Sequence, residues 1–267
     1  MKKHLLKNLD RVQKLFNGKT VSLFLDYDGT LTPIAGRPQD ARLSFEMKGL
    51  LKTLSRRFPA AIVSGRGLED VRSMVGIKDL VYAGNHGMEI WGPRFTMVFD
   101  PGKAISDEMN RAREEFTRLA SEFRGVTVEN KGLTLSIHFR LLDYRDHGIF
   151  TGRFDELSED FTAKRLVRFT KSKKAFEVRP NVLWHKGKGV EWILERKAFS
   201  GTLPVYIGDD ETDKDGFRAV KERGISVFVG GDIKEADFYL NAQDEVKVFL
   251  KWLCGHPMPR GESSSLY

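Results

Sequence analysis

Three short apolar runs in this chain break off into reactive residues. Val21–Leu25 leads into Asp26-Tyr27-Asp28-Gly29-Thr30, Ala60–Val63 into Ser64-Gly65-Arg66, and 203–207 into Gly208-Asp209-Asp210-Glu211-Thr212-Asp213. Unbroken apolar runs of this length read as strands buried on both faces, the habit of a parallel sheet. Helical stretches over 44–58 and 68–75 alternate with them, and further strands are expected at 80–83, near 88–91 and at Ile225–Val229. That alternation predicts an α/β fold, a parallel sheet with helices on both faces. Ligands in such sheets collect outside the carboxyl ends of the strands. The three polar segments, distant in sequence, are therefore expected to meet.

The middle of the chain has another rhythm. Residues 104–124 read as a charged amphipathic helix. A hairpin follows, with its turn at Asn130 to Gly132, then a helix over 143–160, then strands at 165–170 and 175–179 around the basic turn 171–174. Alternating runs on either side of a short polar turn are the mark of a hairpin. Helix, hairpin, helix, hairpin makes an α+β unit of its own. The expected division is a core of 1–103 and 181–267 with an inserted unit of 104–180.

Composition excludes several classes. Apolar residues make up 40% of the 267, so a core can be buried. The lone cysteine, Cys254, excludes an internal disulfide and a cysteine-based zinc site. No apolar run approaches the roughly 20 residues that span a bilayer. Residues 1–16 start with lysines, but Leu5, Leu6, Leu9, Val12, Leu15 and Phe16 recur at helical spacing with no apolar leader, so an amphipathic helix and a cytoplasmic protein are expected. The tail 255–267, rich in Pro, Gly and Ser, is read as mobile. Net charge is +7. That balance fits a lysine-rich solvated surface or attraction of a small anion. No nucleic-acid-binding motif is present.

The motifs carry distinct chemistry. A carboxylate such as Asp26 can attack phosphorus, and a second acid such as Asp28 can exchange protons with the leaving oxygen and with water. Gly29 lets the backbone turn close to a phosphate, and N–H groups near Thr30 can cradle its oxygens. Ser64 can donate to a phosphoryl oxygen, with Gly65 permitting close approach, although Ser is also an ordinary helix cap. His185-Lys186-Gly187-Lys188 precedes a helical run at 190–196, where lysine sits poorly against the dipole unless an anion is bound. Four acids within 209–213 repel one another unless a cation or donors intervene. A hard cation such as Mg²⁺ takes oxygen ligands, and one of these acids with Asp26 and a backbone carbonyl would suffice. An acidic helix start is the competing reading.

In this order, DYDGTLTPI, IVSGR, KGKGVEWIL and VYIGDDETD resemble the four motifs of the haloacid dehalogenase superfamily of phosphotransferases. FLDYDGTLTPI, YAGNHGMEIW, VENKGLTLSIHFR, FEVRPNVLWHKGKGVEWIL and PVYIGDDETDKDGF resemble the trehalose-6-phosphate phosphatases in particular. The likeness runs from about Val21 to Val229. It implies a Rossmann-like core of the haloacid dehalogenase type with a mobile α+β cap, here residues 104–180.

The resemblance further implies Asp26 as nucleophile, Asp28 as general acid/base, and Ser64 and Lys186 as holders of the phosphoryl group. Lys186 is preferred to Lys188 by its distance from Ile193 and Leu194, with Gly189 standing where the family usually has Ala. Mg²⁺ would be held by Asp26, the Asp28 carbonyl and Asp209, with Asp210 and Asp213 nearby. Gly29, Thr30, Gly65 and Arg66 would line the phosphate end. Glu129, Lys131, Arg140 and Glu177 would contact the sugar, followed by Asn85, His86, Arg179 and a lysine from 171–174. Surface ion pairing competes for each cap charge. The implied reaction is Mg²⁺-dependent hydrolysis of trehalose 6-phosphate by a monomer, beside a separate synthase. Another sugar-phosphate phosphatase (mannosyl- or glucosyl-phosphoglycerate), a phosphosugar mutase and a non-catalytic sugar-phosphate binder are the alternatives.

Overall fold

The structure, a computed structural model, describes residues 3–172 and 174–255. Lys173 of the basic turn and the tail beyond 255 lie outside the described residues. The chain opens with β1 (Lys3–His4), α1 (Leu9–Phe16), β2 (Val21–Leu25), α2 (Phe45–Ser55), β3 (Ala60–Val63), α3 (Leu68–Val75), β4 (Val81–Gly84), β5 (Glu89–Gly92) and β6 (Phe95–Val98). It continues through α4 (Lys103–Ser121), β7 (Thr127–Asn130), β8 (Leu135–His138), α5 (His147–Ala163), β9 (Val167–Ser172) and β10 (Ala175–Pro180). It ends with α6 (Lys186–Leu194), β11 (Leu203–Gly208), α7 (Asp213–Val220), β12 (Ile225–Val229), β13 (Phe238–Leu240) and α8 (Gln243–Gly255). No described helix is long and apolar enough to cross a membrane.

Two compact units result. Of the described residues, one holds those up to Val98 and from Trp184 onward; the other is Phe99–Leu183. In the first, nine strands among the described residues form one sheet in the order β1-β13-β12-β11-β2-β3-β4-β5-β6. Pairing is parallel from β1 to β4 and antiparallel through β5 and β6. Residues alternate between its faces. Leu23, Leu25, Ile62, Val205 and Ile207 pack on one side, and Phe24, Ala61, Val63 and Tyr206 on the other. That two-sided burial is why β2, β3 and β11 read as mainly apolar runs.

The beginning departs from the sequence expectation. The continuous helix expected from Leu5 is replaced by a single 3-10 turn at Leu5–Lys7 and then α1. Asn8 lies between them and its side chain donates to the His4 carbonyl, which tethers the break. Before it, β1 adds a parallel edge to β13. Other boundaries follow caps: Ser44 Oγ accepts from Met47 N at the start of α2.

The second unit is a four-stranded antiparallel sheet, β7-β8-β10-β9. One face packs against α4 and α5 through Phe116, Phe150, Phe154, Phe161 and Phe176. Phe154 stacks on Phe176 with ring centroids 3.8 Å apart. The polar face carries Glu129, Ser136, Glu177 and Thr170 in one cross-strand row.

Candidate active site

Strand order brings the reactive segments together. β2 lies between β11 and β3, so Asp26, Asp209 and Ser64 follow the carboxyl ends of three adjoining parallel strands. Lys186 arrives separately, as the first residue of α6. Its Nζ lies 2.6 Å from Asp26 Oδ1 and 2.7 Å from Asp213 Oδ1. All three side chains are buried.

A lone ammonium between two carboxylates leaves a net negative cluster. Burial, then the charge of Asp213, push the Asp26 carboxyl well above the usual range against the pull of Lys186. Burial also pushes Asp209 up to about 6, although a hydrogen bond from Thr30 opposes the rise and Asp213 adds to it. Burial alone would depress Lys186, yet Asp213 and Asp26 hold it above its ordinary value. An ionised lysine is therefore built into the site.

Asp26, Asp209 and Asp213 each offer an oxygen, and the three oxygens lie within 4.8 Å of one another. An all-oxygen donor set suits a hard divalent cation. The three carboxylates are not equally available. Asp213 Oδ1 accepts from Lys186 and Tyr206, and Oδ2 accepts from the backbone N–H groups of Asp209 and Asp210. Asp26 and Asp209 are the freer donors: Asp209 takes one bond of 2.9 Å from Thr30 Oγ1. Asp210 is exposed, accepts from Glu211 N and stands outside this trio.

Gly29 is required by this geometry. Its φ is +85°, its N–H donates to Thr32 O, and a Cβ there would overlap the Asp209 carboxylate. Ser64 Oγ accepts from Arg66 N, while Ser64 O accepts from His86 N. Gly65 lies against the His86 ring. Asn85 and His86, after β4, both adopt positive φ (48° and 57°) while buried, so backbone strain is held beside this loop.

Arg66 is placed differently from the phosphate contact expected of it. Its guanidinium forks onto Asp28 with two bonds of 2.7 Å and also donates to Asp70 Oδ2 and Pro38 O. Four of its five N–H donors are so committed, two of them on Asp28. Tyr206 and Asp70 escape sequence reasoning. The only available signal for Tyr206 is a hydroxyl in an otherwise apolar strand.

In the second unit, Glu129 Oε2 lies 2.8 Å from His138 Nε2. Glu177 pairs with Arg179 and, at 3.4 Å, with Lys131. Arg140 lies two residues beyond β8 and is exposed. Lys171 is exposed on β9, with Nζ over the Phe176 ring.

Comparisons with known proteins point to one family. The family model "Trehalose-phosphatase" matches residues 24–238. A probable trehalose-phosphate phosphatase D of Arabidopsis thaliana is 33% identical over 264 residues, covering 93% of this chain and 71% of the relative. A probable trehalose-phosphate phosphatase 3 of Oryza sativa subsp. japonica is 35% identical over 280 residues, covering 95% and 75%. Among solved structures, an Aspergillus fumigatus trehalose-6-phosphate phosphatase aligns at 27% identity and TM-score 0.61, covering 95% of this chain and 99% of that one. The C-terminal domain of a C. albicans trehalose-6-phosphate phosphatase shares the fold at TM-score 0.79 and 22% identity, covering 96% and 99%. With four-fifths of its length inside the family model and relatives above 30% identity along nearly all of it, this chain belongs to the trehalose-phosphatase family.

Proposed function

We propose that this chain hydrolyses trehalose 6-phosphate to trehalose and phosphate, with Asp26 as nucleophile. The observation that carries the reading is the contact of Lys186 with Asp26 at 2.6 Å, beside Asp209 and Asp28 at the end of one strand group. A carboxylate attacking a phosphoryl group meets like charge. A buried cation on that carboxylate offsets the repulsion.

The steps balance on this chain's own residues. An Asp26 oxygen bonds to phosphorus as the bond from phosphorus to the sugar oxygen breaks. Protonated Asp28 gives its proton to the departing oxygen, and the carboxylate left behind is met by the Arg66 fork. Asp28 then takes a proton from water as the water oxygen bonds to phosphorus, and Asp26 leaves as a carboxylate. Ser64 holds a phosphoryl oxygen.

Asp26, the Asp28 carbonyl and Asp209 would hold Mg²⁺, with Asp213 supporting from Lys186 and Asp210 at the rim. When bound, the ion offsets charge on the phosphoryl oxygens. The raised Asp26 and Asp209 carboxyls support this reading, since a crowded acidic set gains from a cation.

Phe99–Leu183 is proposed as the specificity unit, with Glu129, Lys131, Arg140 and Glu177 taking sugar hydroxyls. Glu129 and Glu177 share one row of its polar face, Glu129 against His138 and Glu177 against Arg179 and Lys131, which supports the assignment. A cytoplasmic location, a monomeric working unit and a separate synthase complete the proposal; fractionation and gel filtration test the first two.

Phosphate release should be assayed across trehalose 6-phosphate, mannosyl- and glucosyl-phosphoglycerate and p-nitrophenyl phosphate, with and without Mg²⁺. Trehalose 6-phosphate is expected to give the highest kcat/KM. Preference for a phosphoglycerate, or saturable binding without release, would overturn the reading.

A further inference from the structure

Asp213 is wholly buried and receives four donors. Two are the backbone N–H groups of Asp209 and Asp210, in the loop before α7. One is Lys186. The fourth is the hydroxyl of Tyr206, 2.8 Å from the same Oδ1 that holds Lys186.

Tyr206 lies on β11 with no exposed surface. Its ring enters the α7 side because residue 216 is glycine: a Cβ there would overlap the ring. Phe217 meets the ring edge-on at 5.5 Å. The ring is thus packed against Gly216 and Phe217, in the orientation that delivers the hydroxyl to Asp213. Burial, then the charge of Asp213, hold the phenol well above its usual range, so the hydroxyl keeps its proton and donates.

The chain of contacts runs Tyr206 to Asp213 to Lys186 to Asp26. Lysine has a long, flexible stem, and its ammonium carries no preferred direction of its own. Direction must come from its partners. Asp213 can provide it only if its own carboxylate does not rotate. We infer that the Tyr206 hydroxyl is a positioning group for phosphoryl transfer: it locks Asp213 so that Lys186 stays on Asp26. The inference rests on the proposed phosphatase reaction.

Tyr206→Phe keeps the ring and removes only the hydroxyl. In the full chain, kcat on trehalose 6-phosphate is expected to fall about tenfold, with KM changing less than about twofold. The fall on p-nitrophenyl phosphate should be the same, because the defect lies in attack on phosphorus and not in sugar recognition or leaving-group protonation. Thermal unfolding of the single variants Tyr206→Phe and Asp213→Asn and of the double variant reads the link without activity. The two losses should be non-additive, as for groups in one network.

A folded Tyr206→Phe variant with wild-type kcat overturns the inference. So does a loss confined to trehalose 6-phosphate, or strictly additive thermal effects. A wild-type chain inert on both compounds overturns the phosphatase reading and this inference with it. A wild type active on both beside an unimpaired variant overturns the inference alone.

Discussion

Arg66 grips Asp28 through two parallel hydrogen bonds of 2.7 Å, the planar fork of guanidinium on carboxylate. The same group reaches Asp70 at 2.9 Å and the Pro38 carbonyl at 2.7 Å, so it is anchored from behind. The proposed proton carrier is thereby held in one orientation by a residue that commits four of its five N–H donors to protein partners.

Arg66→Lys keeps a charge but loses the fork, and the two cations are not interchangeable at a bidentate site. Its kcat on trehalose 6-phosphate should fall by about 10- to 100-fold, the value of a hydrogen bond to a charged group. p-Nitrophenyl phosphate, whose leaving group needs little protonation, should suffer less. Steady-state kinetics on both substrates checks this; equal losses would remove Asp28 from leaving-group protonation.

Lys186→Met strands Asp26 and Asp213 as buried carboxylates without their shared cation. Breaking a buried ion pair from one side costs about 3–5 kcal/mol. The variant should lose catalysis and unfold at a markedly lower temperature at neutral pH. An unchanged Tm would mean that the pair is far better hydrated than its burial indicates.

Metal dependence should follow pH. Asp209 is pushed up to about 6, burial being the first cause. A raised carboxyl keeps its proton to higher pH, and that proton competes with a cation. Chelation should stop turnover, Mg²⁺ should restore it, and the Mg²⁺ concentration for half-activation should rise as pH falls below about 6. Full activity in excess chelator would contradict the metal assignment.

In the second unit, Glu108 is buried beside Arg111 and Lys164. Burial pushes its carboxyl up, but the hydrogen bonds from Arg111 and Lys164 outweigh it and the net shift is downward. A depressed folded-state value adds stability above the unfolded value of about 4.3, and that stability is lost as pH falls through the folded value. Glu108→Gln should therefore lower Tm at pH 7 and converge with wild type in acid. Thermal melts at several pH values test the sign.

The core strands and the reactive residues after them were legible because a sheet buried on both faces keeps its strands mostly apolar and leaves charged residues to the strand ends. Asp26, Lys186 and Asp209 stand at such ends or at a helix start. What was not legible depends on side-chain direction across the sheet. Arg66 follows Ser64-Gly65 in sequence, yet its partner Asp28 comes from the neighbouring strand. Tyr206 reads as one more apolar position until Gly216 makes room for its ring. The split of the first helix was hidden because Leu5 and Leu6 keep helical spacing with α1 while Asn8 breaks the path. β6 escaped because, at a sheet edge, Phe95 and Met97 are only half-buried and Val98 is exposed.

The most direct measurement is the covalent step. The chain is mixed with phosphate-labelled trehalose 6-phosphate and Mg²⁺, quenched in acid within one turnover, digested and mapped. Label on the peptide containing Asp26, and none in Asp26→Asn, is the expected result. Label on another residue, or steady turnover by Asp26→Asn near the wild-type rate, would contradict it.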